Sequence, residues 1–150
     1  MSKIRLGWED RRYFALIGRQ LFSVIFIIAS AGHFTPGTIA LASAHGVPMA
    51  GLLVPLSGLI ALTGGLSVLF GYRARIGGAL LVLFLVPVTF TMHDFWAAAD
   101  PVTFRLELVL FTRNIVLLAC ALLVTHAGAG PLSLDAMMER RALKADGAIM

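Results

Sequence analysis

The sequence contains an uncharged stretch of nineteen residues at positions 52–70, LLVPLSGLIALTGGLSVLF. An α-helix rises about 1.5 Å per residue, so this stretch is long enough to cross the hydrocarbon core of a bilayer, which is about 30 Å thick. A small soluble domain seldom contains an uninterrupted apolar helix of this length, because one side of such a helix must face water. The stretch therefore predicts a transmembrane helix.

Three further apolar segments accompany it, at about residues 14–34, 76–96 and 101–125. The composition agrees with a membrane protein, because 59% of the 150 residues are apolar and only 13% are charged. Typical soluble domains are about 45–50% apolar and about 25% charged. We therefore predict an all-α integral membrane protein, a four-helix bundle that forms a single transmembrane domain over residues 1–150. The composition argues against a soluble enzyme or a disordered chain, and the single cysteine argues against a disulfide scaffold.

The basic residues indicate the orientation of the helices. Ten of the twelve Lys and Arg residues lie near the N-terminus, in the turn at residues 71–75, or in the tail at residues 127–150, and the loop at residues 35–51 contains none. The positive-inside rule then predicts that both termini are cytoplasmic (N-in and C-in). The same distribution of basic residues argues against nucleic-acid binding, which needs cations clustered on one polar surface.

An alternative for the N-terminus is a cleaved signal, because Arg11-Arg12 resembles a twin-arginine motif and Ala29-Ser30-Ala31 resembles a cleavage site. Cleavage would leave three spans and an unbalanced loop charge, so we favour the intact first helix.

Proline and glycine mark the predicted helix ends. Pro36-Gly37 predicts the end of the first span, and Gly71 predicts the end of the second. Asp100-Pro101 is typical of an N-cap followed by the first helical residue. After the fourth span we expect a short loop and then an amphipathic helix from Leu134.

Small residues recur every four positions in the second span, at Ser57, Ala61 and Gly65. Such a stripe lets another helix approach closely. We interpret it as packing within one bundle, with an oligomer interface or a cofactor groove as the alternatives.

Six polar residues within the spans or at their outer ends are candidates for chemistry: His33, His93, Asp94, Glu107, Arg113 and Asn114. Polar groups in a membrane are costly, so their positions indicate either a functional site or a structural pairing. Glu107 and Asn114 are seven residues apart and share one face of the fourth helix, which we expect to face inward. We expect Arg113 to pair with Asp94 or another acid. Two interpretations stay open: a structural ion pair that locks the third and fourth helices, and a site for a small polar head group such as a quinone.

A narrower alternative makes His33 and His93 the axial ligands of a haem, which we disfavour because two histidines near helix ends do not form a haem motif. No pattern of Cys and His predicts a zinc or iron–sulfur site, so we predict no metal. Cys120 is alone in the fourth span and is expected to pack. If the polar residues form a ligand site rather than a structural pairing, quinone is the expected cofactor.

Several short motifs occur in a fixed order over residues 18–135: Gly18-Arg19, Ala31-Gly32-His33-Phe34, His45-Gly46-Val47-Pro48, Gly64-Gly65, Leu69-Phe70-Gly71, Met92-His93-Asp94-Phe95-Trp96, Arg113-Asn114 and Gly130-Pro131-Leu132-Ser133-Leu134-Asp135. In their order and spacing the chain resembles the DoxX family of small four-helix bacterial membrane proteins. One position departs from the family, because relatives often carry a glutamate in the second span where this chain has Leu59-Ile60-Ala61-Leu62. If that acid takes part in proton or quinone chemistry, the resemblance implies that this chain has lost or altered the step.

The resemblance implies an inner-membrane protein, and some relatives are subunits of thiosulfate:quinone oxidoreductases while others are linked to complexes that handle oxidative stress. We therefore predict a membrane subunit of a quinone-linked oxidoreductase complex, which supplies anchoring and quinone docking. Its expected partners are lipid and other protein subunits, with a homo-oligomer as a further option. The expected site is His93, Asp94, Arg113 and Asn114, supported by His33 and Glu107. The alternatives are an accessory or assembly subunit without its own chemistry and a small-solute carrier, which the uncharged second and third spans disfavour.

Overall fold

The structure, a computed structural model, describes residues 8–146, with side chains from Arg12 onward. Lys3 and Arg5, which contribute to the predicted orientation, lie outside the described residues, as do the side chain of Arg11 and residues 147–150 of the tail. Within the described range the chain forms helices and no strand. The helices are α1 Trp8–Gly32, α2 Pro36–Ala44, α3 Ala50–Phe70, α4 Ala74–Met92, α5 Pro101–Ala127 and α6 Leu134–Ala145, with one 3-10 turn at Phe95–Ala97.

Four of these helices, α1, α3, α4 and α5, are long and apolar enough to cross a membrane. This confirms the prediction of an all-α membrane protein. The helix ends differ from the predicted ones by a few residues, most clearly at α4, which ends at Met92 and is followed by the 3-10 turn. Asp100 caps α5 as predicted, since its Oδ1 accepts hydrogen bonds from the N–H groups of Val102 and Thr103 at 2.9 and 3.0 Å.

The segment after the first span is a helix rather than a loop. The prediction that Pro36-Gly37 ends the first span is wrong, because α1 already ends at Gly32 and Pro36 is the first residue of α2. The fixed φ of proline suits the first position of a helix as well as the position after one. Thr35 caps α2, and its hydroxyl oxygen accepts a hydrogen bond from the Thr38 N–H at 3.4 Å.

The membrane helices pack in chain order: α1 against α3, α3 against α4, and α4 against α5. Glycines allow these close approaches, and a methyl group on Gly78 would lie only 2.6 Å from the Thr125 hydroxyl oxygen of α5. The stripe of small residues in α3 faces the same core, where Ala61 and Gly65 are buried. This supports the interpretation of the stripe as internal packing. Ala61 is fully buried among apolar side chains.

Arg19 of α1 joins the loop before α6 to the bundle. Its position near the inner end of a span suggests a side chain that extends to water, but it is only 7% exposed. Its Nη1 donates to the Ala129 carbonyl at 2.6 Å and its Nη2 donates to the Leu132 carbonyl at 3.0 Å. Backbone carbonyls thus replace the water that the guanidinium would otherwise need.

Asp135, at the start of α6, joins α6 to the start of α4. Its carboxylate accepts hydrogen bonds from the N–H groups of Arg73 and Ala74 at 2.7 and 3.1 Å, so it caps α4 from a distant part of the chain. The Asp135 N–H in turn donates to the Gly71 carbonyl at 2.9 Å. The start of α1 and the tail helix therefore lie at the same end of the bundle, which we call the basic end.

Candidate functional site

His93 and Glu107 form a polar contact at the other end of the bundle, which we call the outer end. His93 follows the last residue of α4, and Glu107 lies in the second turn of α5, so the contact bridges the two helices. The distance between His93 Nδ1 and Glu107 Oε2 is 2.9 Å, and the side chains are 15% and 20% exposed. At this distance the imidazole N–H can donate a hydrogen bond to the carboxylate oxygen.

Arg113 and Asn114 form a second polar contact near the middle of α5. Arg113 donates from Nε and Nη2 to the Asn114 Oδ1 at 3.3 and 3.1 Å. Asn114 is only 4% exposed, whereas Arg113 is exposed. Because Asn114 and Ala121 are the buried residues of α5, the prediction that this face turns inward is confirmed.

The predicted pairing of Arg113 with Asp94 is wrong. Within the described residues Arg113 forms no ion pair, and the acid that contacts a basic group at the outer end is Glu107. The reason is depth, since Asp94 follows His93 at the level of Glu107, whereas Arg113 lies six residues, or about 9 Å, further along α5. The six predicted residues are therefore not one cluster.

His33 belongs to neither contact. It follows α1, its Nδ1 lies 3.0 Å from the Ala29 carbonyl oxygen, and its ring packs edge-on against Phe84 of α4 at 5.4 Å between centroids. Its Cβ also lies close to Gly58, where an added methyl group would approach it to 2.6 Å. Phe84 precedes His93 by nine residues, about 13 Å of helix, so these contacts hold His33 well below the His93–Glu107 pair.

Aromatic rings form a cluster beside the two polar contacts. Phe111, on α5, meets Phe90, Phe95 and Trp96 at centroid distances of 5.5, 5.2 and 6.0 Å, all edge-on. Phe95 also meets Phe104, one of the first residues of α5, at 5.8 Å. The cluster fixes the 3-10 turn against α5 and gives the outer end an apolar wall.

Sequence reasoning missed two of these features. It assigned Glu107 a supporting role, although the structure makes it the partner of His93, and it did not single out Phe111. A signal for both exists in α5, where Phe104 and Phe111 repeat at the seven-residue spacing of Glu107 and Asn114. That spacing places each pair on one helix face but does not reveal what the face meets.

Comparison with known proteins gives two matches. The sequence profile of the DoxX family matches residues 14–94, which run from α1 to the end of α4. A curated protein, "Inner membrane protein YqjF" of Escherichia coli (strain K12), is 29% identical over 128 residues, which cover 84% of this chain and 92% of that protein. No solved structure matches. Glu107, Arg113 and Asn114 lie beyond the segment that the family profile matches.

Proposed function

The chain belongs to the DoxX family and is a multi-pass inner-membrane protein, and we propose that it is the membrane subunit of a quinone-linked oxidoreductase complex. In this role it contacts lipid, anchors a partner protein and holds a quinone head group against α5. A quinone held there would supply the redox chemistry, as an acceptor of electrons and protons.

The observation that carries this proposal is the position of Arg113. The most exposed face of α5 is an apolar stripe with seven-residue spacing, in which Val109 and Val116 are 65% and 58% exposed. Arg113 lies on this stripe, four residues after Val109 and three before Val116. A cation at the centre of a lipid-facing helix costs about 2.5–3.5 kcal/mol or more. An acceptor that covers Arg113 would remove this cost.

The donors present fit a quinone oxygen. Arg113 Nη1 and Asn114 Nδ2 make no hydrogen bond to the residues that the structure describes, although Arg113 Nε and Nη2 are engaged. A carbonyl oxygen accepts from such donors, and hydrogen bonds from a charged group are the stronger kind. Phe111 lies three residues before Asn114, on the same side of α5, and adds an aromatic surface on that side.

The two polar contacts then have different tasks. Arg113 and Asn114 bind and orient the oxygen near mid-membrane depth. His93 and Glu107 lie about 10 Å nearer the outer end, where they exchange protons with the aqueous side. Asp94 and His33 contact neither Arg113 nor the His93–Glu107 pair through a hydrogen bond within the described residues, and we assign them no chemical step.

The test measures quinone per protein after extraction into native lipid particles. Arg113→Ala is compared with Arg105→Ala, because both arginines are exposed on α5 and differ in depth. Loss of a charged hydrogen bond is worth about 1.5–3 kcal/mol, so we expect Arg113→Ala to retain about 10- to 100-fold less quinone. Arg105→Ala should retain the wild-type amount. An absence of quinone from the wild-type particles, or an equal loss in both variants, contradicts the proposal.

A second candidate is an accessory subunit without chemistry of its own, and the exposed apolar stripe of α5 favours it. A transmembrane helix of a partner that carries a carboxylate would cover both the stripe and Arg113. In that case Arg113→Ala lowers the abundance of the complex in the membrane, and the turnover of the complex that remains is unchanged. The quinone-docking function predicts the reverse, a lower turnover at equal abundance.

A further inference from the structure

A groove lies at the basic end of the bundle, far from the candidate quinone site. It runs between α6, the middle of α1 and the end of α3, and has a volume of about 880 Å³. One part of its lining is apolar and includes Leu69, Phe70 and Met137. The other part is cationic and consists of Arg19, Arg140, Arg141 and Lys144. No acidic residue contributes to the lining among the residues that the structure describes.

The charge of the groove arises because α6 separates its charges between two faces. Met137, Arg140, Arg141 and Lys144 follow the 3, 4, 7 spacing of one helix face, and this face lines the groove. Asp135 and Glu139 instead line a second, smaller hollow of about 390 Å³, together with Arg73 and Arg75. The acids of α6 are thus placed beside the cations of the α3–α4 turn, and the cations on the groove face have no acidic neighbour in the lining.

Arg19 makes the floor of the groove electrostatically unusual. It is only 7% exposed, yet it forms no ion pair within the described residues. Two of its nitrogens bond to carbonyl oxygens, and its Nε is buried without a hydrogen-bond partner in the described part of the chain. Its hydrogen-bond acceptors are neutral carbonyl groups, and Asp135 acts on it through charge attraction without an ion-pair contact. A further anion in the groove would therefore be favoured.

We propose that this groove binds the head group of one anionic phospholipid. The positive-inside distribution predicts that the basic end faces the cytoplasm, so the groove lies at the level of the inner-leaflet phosphates. The phosphate is contacted by Arg140, Arg141 and Lys144. The positive charge of Arg19, at the floor of the groove, stabilises it further. Leu69, Phe70 and Met137 pack against the first part of an acyl chain. The apolar half of the groove is the reason that the occupant is a lipid rather than a soluble phosphate compound.

The experiment counts bound lipid on the purified full-length protein by native mass spectrometry. The probes are phosphatidylglycerol, which is anionic, and phosphatidylcholine of the same chain length, which is zwitterionic. Each basic side chain near an anionic lipid surface strengthens binding about fivefold, so two contribute about 30-fold. We expect the wild-type protein to bind one phosphatidylglycerol at least tenfold more tightly than phosphatidylcholine.

Two double variants remove equal charge at the same end of the protein. Arg140→Gln with Lys144→Gln changes the groove, and Arg73→Gln with Arg75→Gln changes the hollow on the other face of α6. We expect the first to weaken phosphatidylglycerol binding about 30-fold and the second to leave it within about twofold. Arg140→Lys, which keeps the charge, should retain binding. Equal losses in both doubles would mean general attraction to a basic surface and would overturn the proposal.

Two further experiments distinguish binding of the lipid from binding of other anions. Glycerol phosphate at millimolar concentration should not displace the bound lipid, and full displacement would identify a phosphate site instead. A phosphatidylglycerol with a photoreactive group near the start of its acyl chain should label Met137 and Phe70 rather than Met138, which does not line the groove. Labelling confined to α5, or an acidic protein bound in place of the lipid, would contradict the proposal.

Discussion

Replacement of Gly71 by alanine tests whether the basic end is a packed, stabilising junction. Gly71 ends α3 with φ +65°, a left-handed conformation that costs a residue with a side chain about 1–2 kcal/mol. The added methyl group would also lie 2.5 Å from Ser133 Cβ, 2.7 Å from Arg19 Nη1 and 2.9 Å from Ala129 Cβ. Carbon–carbon contacts are optimal at about 3.5–4.0 Å, so these neighbours have to move.

The second contribution is overpacking. Forcing a methyl group into a packed site typically costs about 1–3 kcal/mol. Relief is limited here, because the Nη1 of Arg19 is held by the Ala129 carbonyl and Ser133 caps α6. The two contributions together give a loss of about 2–5 kcal/mol in the free energy of unfolding for Gly71→Ala.

The matched control is Gly46→Ala. Gly46 has φ +76° but no heavy atom within 4 Å of the position of an added methyl group, so this variant carries only the backbone cost of about 1–2 kcal/mol. Unfolding in mixed detergent micelles, followed by tryptophan fluorescence, gives both values. Equal losses in the two variants would show that Arg19 and the loop before α6 do not press on Gly71, and the description of the basic end as a tight junction would be wrong.

Three more substitutions test other parts of the fold. Asp135→Ala removes the carboxylate that caps α4, and we expect a loss of about 1–2 kcal/mol in the free energy of unfolding, against almost none for the exposed Glu139→Ala. Gly78→Ala should cost about 1–3 kcal/mol in the same assay, since its methyl group would lie 2.9 Å from a backbone nitrogen of α5, whereas Gly18→Ala, with open space around it, should be neutral or slightly stabilising. Hydrogen bonds from the Thr103 hydroxyl and from the N–H groups of Thr103 and Val102 lower the pKa of Asp100. The stabilisation by the ionised Asp100 cap is therefore present above the ordinary aspartate pKa, and it is lost as the pH falls through the lowered pKa. The difference in melting temperature between the wild type and Asp100→Ala should therefore shrink as the pH falls below the ordinary aspartate pKa, and a constant difference would exclude an ionised cap.

The features that the sequence predicts well are local ones. Hydropathy over about twenty residues depends only on neighbouring residues, so the four spans are evident from composition. The cap of α5 is equally local, because Asp100 bonds to groups two and three residues away. The inward face of Asn114 follows from helical periodicity, which needs no knowledge of the partner helix.

The features that the sequence does not reveal depend on pairs far apart in the chain. Arg19 bonds to carbonyl groups more than a hundred residues away, and nothing in its surroundings in the sequence identifies those acceptors. The pairing of His93 with Glu107 rather than with another group depends on the relative depth of α4 and α5, which the turn at Phe95–Ala97 sets. Pro36 was ambiguous for a different reason, since proline both follows helices and begins them.

The two ends of the bundle use their polar groups in different ways, and this difference bears on function. At the basic end, Asp135 and Arg19 are bonded to backbone groups, and Gly71 leaves no room for a methyl group. At mid-membrane depth on α5, Arg113 faces outward with a nitrogen that has no partner among the described residues. A fold that satisfies most of its buried polar groups gains nothing from a lipid-facing cation unless another molecule accepts its hydrogen bonds. Arg113 is therefore the residue at which a substitution should affect what the protein binds more than how it folds.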